Sequence, residues 1–393
     1  MAVGVGHAAG FRAAGVVAGI KASGRPDVAI VCADAAVPAA AVFTRSRTAA
    51  PPVLLSRRHA AGGAARAVVV SSGNANAATG AAGLRDAERM AALVAAGLGC
   101  RPEEVLVAST GVIGVPLPME RIEAGIADAL DALSPDGGAA AAEAITTTDA
   151  APKTAERELV VDGASVRIGG MAKGAGMIRP DLGTMIAVLT TDAVLDAVAA
   201  DRILRRAVAG SFNRITVDGC QSTSDTVVLL ASGASGAEVA ASEPFAAALD
   251  DACLDLALQI VRDGEGARRV ARWRVTGART EEEAVRLAYA VAEGQLARCA
   301  LHGGDPNWGR IFAALGVVGV DVDPDRIGIA IGGHVLCRAG VAVAPDDPAA
   351  LDAAAAADTV AIDIELGLGD GSAVVWGSDL SADYVALNAE YTT

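Results

Sequence analysis

Apolar positions along this chain switch between two spacings. "DVAIVCAD", residues 27–34, is an almost unbroken apolar run and predicts a strand. "ARAVVVSSGNANAATG", residues 65–80, predicts a strand that runs into a polar, turn-rich loop. In "GLRDAERMAALVAAGLGC", Leu84, Ala87, Met90, Val94 and Leu98 fall on one helical face, and Gly97 and Gly99 can stop the helix. "EEVLVASTGVIG", residues 103–114, reads as a strand and then a turn. Ile122, Ile126, Leu130 and Leu133 mark an amphipathic helix over residues 119–133, ended by Ser134-Pro135.

The stretch starting at Thr184 predicts a strand, followed by a helix near 192–208, a strand over 227–232 and a long helix over 244–263. "RWRVTGA", residues 272–278, predicts another strand, and Thr280 with Glu283 forms the capping box of a helix over 281–298. The tail is strand-rich, with β-like runs at 326–333, 359–366 and 372–378, and "GLGDG" joins the last two as a hairpin loop. Strands and helices come in runs rather than in strict alternation. The pattern therefore predicts an α+β fold of mixed sheets covered by helices.

At 393 residues the chain is too long for one simple core, and two or three packed units are expected. Hydrophobic residues make up 52% and aromatics only 3%, so the core must be built from Ala, Val, Leu and Ile with closely approaching backbones. So few aromatics also argue against a stacking surface for single-stranded nucleic acid. A net charge of −15 opposes nonspecific binding to DNA or to anionic lipid. The apolar stretch "VAIVCADAAVPAAAVF" is short and broken by Asp34 and Pro38, so no membrane span is expected. No lysine or arginine precedes Arg12 and there is no long apolar segment, so no signal peptide is expected, and the cytoplasm is the expected compartment. Cys32, Cys100, Cys220, Cys253, Cys299 and Cys337 form no CxxC pair and are expected to be small buried hydrophobes. His7, His59, His302 and His334 form no ligand pattern, so neither a metal nor another cofactor is expected.

Four segments carry candidate chemistry. In "STGVIG", a strand ending at Ser109-Thr110-Gly111 can aim a hydroxyl and backbone N–H groups at one point, as an oxyanion hole requires, or it is an ordinary polar turn. "GGMAKGAGMIRPDL", residues 169–182, reads as a loose glycine-rich segment whose single Lys173 can hold a carboxylate or phosphate, or is merely solvated; it is not a Walker A loop. The Gly183-Thr184 step puts a hydroxyl beside an accessible carbonyl, or Thr184 is only a β-branched strand residue. A threonine hydroxyl needs a base, and an α-amine freed at Thr184, with a pKa of roughly 7.7–8.0, would serve. The tail "YVALNAEYTT" can close a pocket with Asn388 and Thr393, or it frays.

Taken in order, "GFRAAGVVAGIK", "SSGNANAATG", "STGVIGVPLPME", "ITTTDAAPK", "AKGAGMIRPDLGTMIAVLTTDA", "SFNRITVDG", "DGEGA", "GGDPNWGRI" and "NAEYTT" cover nearly the whole chain. Together they resemble the ornithine/glutamate N-acetyltransferases of arginine biosynthesis. That resemblance implies a self-processing architecture like that of other N-terminal-nucleophile proteins. It divides the chain into an alpha chain, 1–183, and a beta chain whose first part, 184–275, carries the nucleophile and whose C-terminal part is 276–393. It implies cleavage at Gly183-Thr184, Thr184 as nucleophile, and Thr110 and Gly111 at the oxyanion. It implies substrate contacts from Thr147, Lys173, Thr184, Glu265, Asn388 and Thr393, with Thr146 and Thr148 flanking the first of these.

The implied substrates are N-acetylornithine, ornithine, glutamate and N-acetylglutamate, handled in a ping-pong scheme, with acetyl-CoA as a further candidate donor. The implied assembly is a heterotetramer of two alpha and two beta chains. The sequence departs from the family pattern at Gly183, where alanine is common, at Cys220, where an acidic residue is expected, and at Arg268 and Arg269, where a Thr-Lys pair is usual. A self-processing aminopeptidase or amidase, passing its acyl group to water, is the alternative reading. A non-enzymatic binding protein is a third.

Overall fold

The computed structural model describes residues 3–179 and 185–390. The chain forms two compact units, one of residues up to 213 together with 220–260, the other of residues 214–219 together with 261 onward. The mixed α+β class expected from the pattern is the class observed. Among the described residues, no helix is long and apolar enough to cross a membrane.

The first unit holds β1 (Phe11–Val16), β2 (Val28–Phe43), β3 (Ala64–Asn74), β4 (Val105–Val112), β5 (Lys153–Val161), β6 (Ala164–Lys173) and β7 (Ile186–Thr191). The short β8 (Ile215–Thr216) belongs to the second unit, and β9 (Thr226–Ala231) returns to the first. The first unit's strands make an eight-stranded sheet in the order β4-β3-β2-β9-β7-β6-β5, with β1 also paired to β2. Its helices are α1 (Pro51–Ala60), α2 (Gly80–Leu98), α3 (Met119–Asp131), α4 (Gly138–Ala144) and α5 (Ala197–Gly210), together with α6 (Glu243–Arg262) up to Ile260.

Alternation along the strands sorts the two faces. Val68, Val70, Leu106 and Ala108 pack with Ala141, Ala142 and Ile145 at α4, whereas Ala67, Val69, Val105 and Val107 pack with Met90 and Val94 of α2 and Ile122 and Ile126 of α3. Gly99, in the left-handed region at φ +68°, ends α2. Gly97 stays inside that helix, where a Cβ would come within 2.3 Å of Leu130.

The second unit adds β10 (Val270–Ala278), β11 (Gly328–Ile331), β12 (His334–Arg338), β13 (Val341–Ala342), β14 (Thr359–Glu365) and β15 (Gly371–Ser378) to β8, in the order β13-β12-β11-β14-β10-β15-β8. Its helices are α7 (Glu281–Ala292), α8 (Gln295–Gly303), α9 (Trp308–Leu315), α10 (Pro348–Ala355) and α11 (Ala382–Glu390). Trp273 and Val275 pack with Leu287, Val291, Ile311 and Leu315.

Several expectations are corrected. The strand begun near residue 28 does not stop at Asp34 but continues through Pro38 to Phe43. A register shift between Cys32 and Val37 accommodates the proline, and the second half of the strand turns to pair with β9. "GLGDG" is not a hairpin loop, because β10 lies between β14 and β15, parallel to the first and antiparallel to the second. The loop instead wraps the end of β10, where Leu368 and Gly369 donate to the Gly277 carbonyl. The helix expected over 281–298 breaks at Gly294 into α7 and α8. Thr280 caps α7 by accepting from the Glu283 N–H, but the Glu283 carboxylate takes the Arg279 N–H, so the box is only half formed. Of the six thiols, Cys32, Cys253 and Cys337 are buried, Cys100 is partly buried, and Cys220 and Cys299 are exposed.

The outer strand β4 is paired only with β3, and α1 covers its free side. Ser56 Oγ donates to the Val107 carbonyl (2.6 Å) and accepts from the Val107 N–H (2.7 Å), and the His59 ring meets the Val105 carbonyl at 2.8 Å. Ser56→Ala would leave both Val107 groups buried without that partner. It is expected to lower the unfolding free energy by about 1–3 kcal/mol, read from urea denaturation.

Candidate active site

The first part of the glycine-rich segment is not a loop, although residues 174–179 form neither helix nor strand. Gly169 to Lys173 form the end of β6, paired to β5 and β7, with Lys173 opposite Ile186. The signal missed was Asp162-Gly163, both at positive φ, which turns β5 back into β6. Gly169 and Gly170 are required by packing. A Cβ on Gly169 would lie 2.1 Å from the Gly4 carbonyl oxygen, and one on Gly170 would lie 2.9 Å from Leu189. The lysine therefore stands on a strand paired on both sides, and its side chain is 3% exposed.

Its ammonium donates to Thr147 Oγ1 at 2.7 Å and to Thr110 Oγ1 at 3.2 Å. Thr110 lies near the end of β4 beside Ser72 of β3, and Gly111 pairs with Gly73. Gly111 sits at φ +128°, and a Cβ there would fall 2.3 Å from the Gly73 carbonyl carbon, so only glycine fits. Because Thr110 accepts from Lys173, its own O–H remains a donor for a developing oxyanion. Thr147 follows α4. Its neighbour Thr146 is engaged elsewhere, donating to the Glu143 carbonyl and accepting from Arg25.

Two residues that sequence reasoning passed over organise this cluster. Asp149 forms an ion pair with Lys153 at 2.6 Å and lies 3.9 Å from Lys173. It also accepts from the N–H groups of Thr147 (2.8 Å) and Gly174 (2.6 Å). Burial alone would raise its pKa, but Lys173, Lys153 and these hydrogen bonds outweigh that and hold it well below the usual carboxylate range. Two ammonium groups and one carboxylate leave one excess positive charge in this buried trio. Nearby, Lys21 donates to the carbonyls of Pro26 and Ala144, and burial together with Arg25 lowers its pKa to about 8. The arrangement suits an anionic ligand whose carbonyl oxygen develops negative charge. Both Asp149 and Lys153 stand in "ITTTDAAPK", and only their pairing in space separates them from ordinary surface charges.

Glu265 and Asn388 come together within the second unit, where Asn388 Nδ2 donates to Glu265 Oε2 at 2.9 Å. The loop carrying Glu265 is pressed against α11. Gly266, at φ +67°, leaves no room for a Cβ, which would meet the Tyr384 nitrogen at 2.4 Å, and Ser381 donates to the Gly266 carbonyl. Asp379 accepts from the N–H groups of Arg268 and Arg269 and meets the His302 ring at 2.7 Å. The two arginines that depart from the family pattern thus tie down this loop by their backbones. Gly183, Thr184 and Thr393 lie outside the described residues. Among the described residues, no group of three His, Cys, Asp or Glu side chains could hold a metal ion.

A family model described as the ArgJ family matches residues 12–393. The arginine biosynthesis bifunctional protein ArgJ of Symbiobacterium thermophilum is 48% identical over 100% of this chain and 99% of its own. The protein of that name from Thermobifida fusca is 46% identical over 98% of each chain. A crystal structure of ornithine acetyltransferase complexed with ornithine, from Mycobacterium tuberculosis, is 41% identical and covers 45% of this chain and 95% of its own, with a TM-score of 0.40.

Asp149→Asn would leave two buried ammonium groups facing a neutral amide. It is expected to destabilise the protein by about 3–5 kcal/mol in urea unfolding at neutral pH. The carboxyl's folded pKa lies below its unfolded value near 3.9, so its stabilisation is complete above roughly pH 4 and is lost as pH falls through the folded value. The gap between wild type and variant should therefore close only in acid.

Proposed function

The chain belongs to the ArgJ family, and from that premise we propose that it passes acetyl from N-acetylornithine to glutamate through an acetylated Thr184, after cutting itself at Gly183-Thr184. It is an acetyltransferase of arginine biosynthesis. In the maturation step, Thr184 Oγ attacks the Gly183 carbonyl carbon, the peptide C–N bond breaks, and the hydroxyl proton passes to the departing amine. Water hydrolyses the resulting ester, leaving a Gly183 carboxylate and a free Thr184 hydroxyl and α-amine. In each turnover that amine takes the hydroxyl proton while Oγ attacks the acetyl carbonyl, and ornithine leaves with the proton. The amine of glutamate then attacks the ester, N-acetylglutamate departs, and Thr184 is restored.

The observation that carries this reading is the buried contact of Lys173 with the Thr110 and Thr147 hydroxyls. It supports Thr110 and Gly111 as oxyanion donors and Lys173 with Thr147 as the seat of a substrate carboxylate. Glu265, held by Asn388, suits the ammonium group that ornithine and glutamate share. Acetyl-CoA is proposed as a further donor for glutamate. The proposed assembly is two alpha and two beta chains. Within one alpha–beta pair the two pieces are held by the first sheet itself, because β7 lies between β6 and β9 and β9 pairs with β2.

Mass spectrometry of the purified protein is expected to find fragments 1–183 and 184–393, inseparable without denaturant. N-acetylornithine alone should add one acetyl group to the second fragment, and Thr184→Ala should abolish both cleavage and transfer. An intact chain that transfers acetyl, or acetate released at the same rate without glutamate, would contradict this function.

Thr110→Val keeps the shape of the strand end and removes the donor. It is expected to lower kcat by about 10²-fold with little change in KM, as measured by steady-state kinetics with both substrates.

A further inference from the structure

Asp225 is fully buried at the start of β9, in the middle of the first sheet. Its backbone carbonyl accepts from the Thr44 N–H at 3.1 Å, which fixes the residue against the end of β2. The turn before it is closed by hydroxyls: Thr44 Oγ1 donates to the Ser222 carbonyl, and Ser222 Oγ accepts from the Ser224 N–H. The carboxyl is thus carried on a rigid support. Its Oδ1 accepts from the Met185 N–H at 2.8 Å. The Met185 carbonyl in turn accepts from the Thr226 N–H at 3.1 Å, the first rung of the parallel β7–β9 ladder. Oδ2 is buried and has no hydrogen-bond partner among the described residues.

A sheet needs no carboxyl at this place. A buried acid costs stability that an apolar residue would not. What the carboxyl does is hold one particular amide. The N–H of Met185 lies in the peptide plane that begins at the Cα of residue 184, because the peptide unit is planar. Fixing that N–H to the start of β9 fixes the peptide plane on the N-terminal side of Met185.

We propose that Asp225 is a positioning residue for the nucleophile, its Oδ1 clamping the Met185 amide so that residue 184 is held in one orientation for both self-cleavage and acetyl transfer. This rests on Thr184 being the nucleophile. Burial pushes the carboxyl's pKa well above the usual range, against the opposing pull of the Met185 N–H, Thr44 and Lys173. The clamp as seen needs an oxygen acceptor on Oδ1. An asparagine can supply that acceptor, whereas an alanine cannot.

The test compares wild type, Asp225→Asn and Asp225→Ala, all as the full chain. The readouts are the rate of appearance of the 184–393 fragment, then kcat and KM for N-acetylornithine on the matured protein, with circular dichroism and Tm to confirm folding. A wild type that neither cleaves nor acetylates Thr184 would overturn the nucleophile reading and this inference with it. Given an active wild type, Asp225→Asn should stay within about threefold of it in both steps. A folded Asp225→Ala should lose at least about tenfold in both cleavage and kcat, the scale of a misplaced reacting group, with KM unchanged. A folded Asp225→Ala with wild-type rates overturns the proposal. So does Asp225→Asn that loses tenfold or more, because that makes the proton or the charge the active element. The asparagine variant decides the matter even if the alanine variant does not fold.

Discussion

Much of the first unit is arranged around the cost of burying an ammonium group. Lys173 ends β6, a strand paired on both sides, at 3% exposure, and a cation so placed must be met by charge and hydrogen bonds or it will not stay protonated. Asp149 meets that need in part, and in doing so recruits Lys153 and the N–H groups of Thr147 and Gly174. The loop after α4 is thereby drawn onto the end of β6. The Thr110 hydroxyl completes the shell from a different strand, so the positive charge draws three separate segments of chain to one place.

The same device recurs wherever a loop has to be fixed. Asp27 accepts from the N–H groups of Ala18, Ile20 and Lys21, Asp149 from those of Thr147 and Gly174, and Asp379 from those of Arg268 and Arg269. All three aspartates are buried. In a chain with 3% aromatics, large side chains are too few to wedge loops into place. Small residues let backbones come close, and a carboxylate that gathers two or three amides then locks what packing alone leaves loose.

The class of fold and most long elements were legible in the sequence because they follow from spacing: the faces of α2 and α3, and the strands at 65–72, 105–112 and 227–232, need only local periodicity. What was not legible depends on partners distant in the chain. The glycines at 169 and 170 look like a flexible loop until the backbone at Gly4 and the side chain of Leu189 are known to lie against them. "GLGDG" looks like a hairpin because nothing local reveals that β10 intervenes. At the site, Thr110, Gly111 and Lys173 stood out by their local motifs and Thr147 by resemblance, while their grouping is a property of the sheet. Asp149 and Lys153 carry no local mark that separates a buried pair from a solvated one.

The place of β7 gives the molecule a history. A strand flanked on both sides, by β6 and by β9, can join the sheet cheaply only while it is tethered to β6 by a short connection, since the entropy lost in closing a loop is small for a chain still covalently joined. With the connection severed as proposed, the same pairing would become an encounter between separate molecules, each with raw sheet edges exposed until they meet. On the proposed cleavage, the continuous chain would be the form that folds readily, and the severed form an heirloom of that folding, without an easy way back once taken apart.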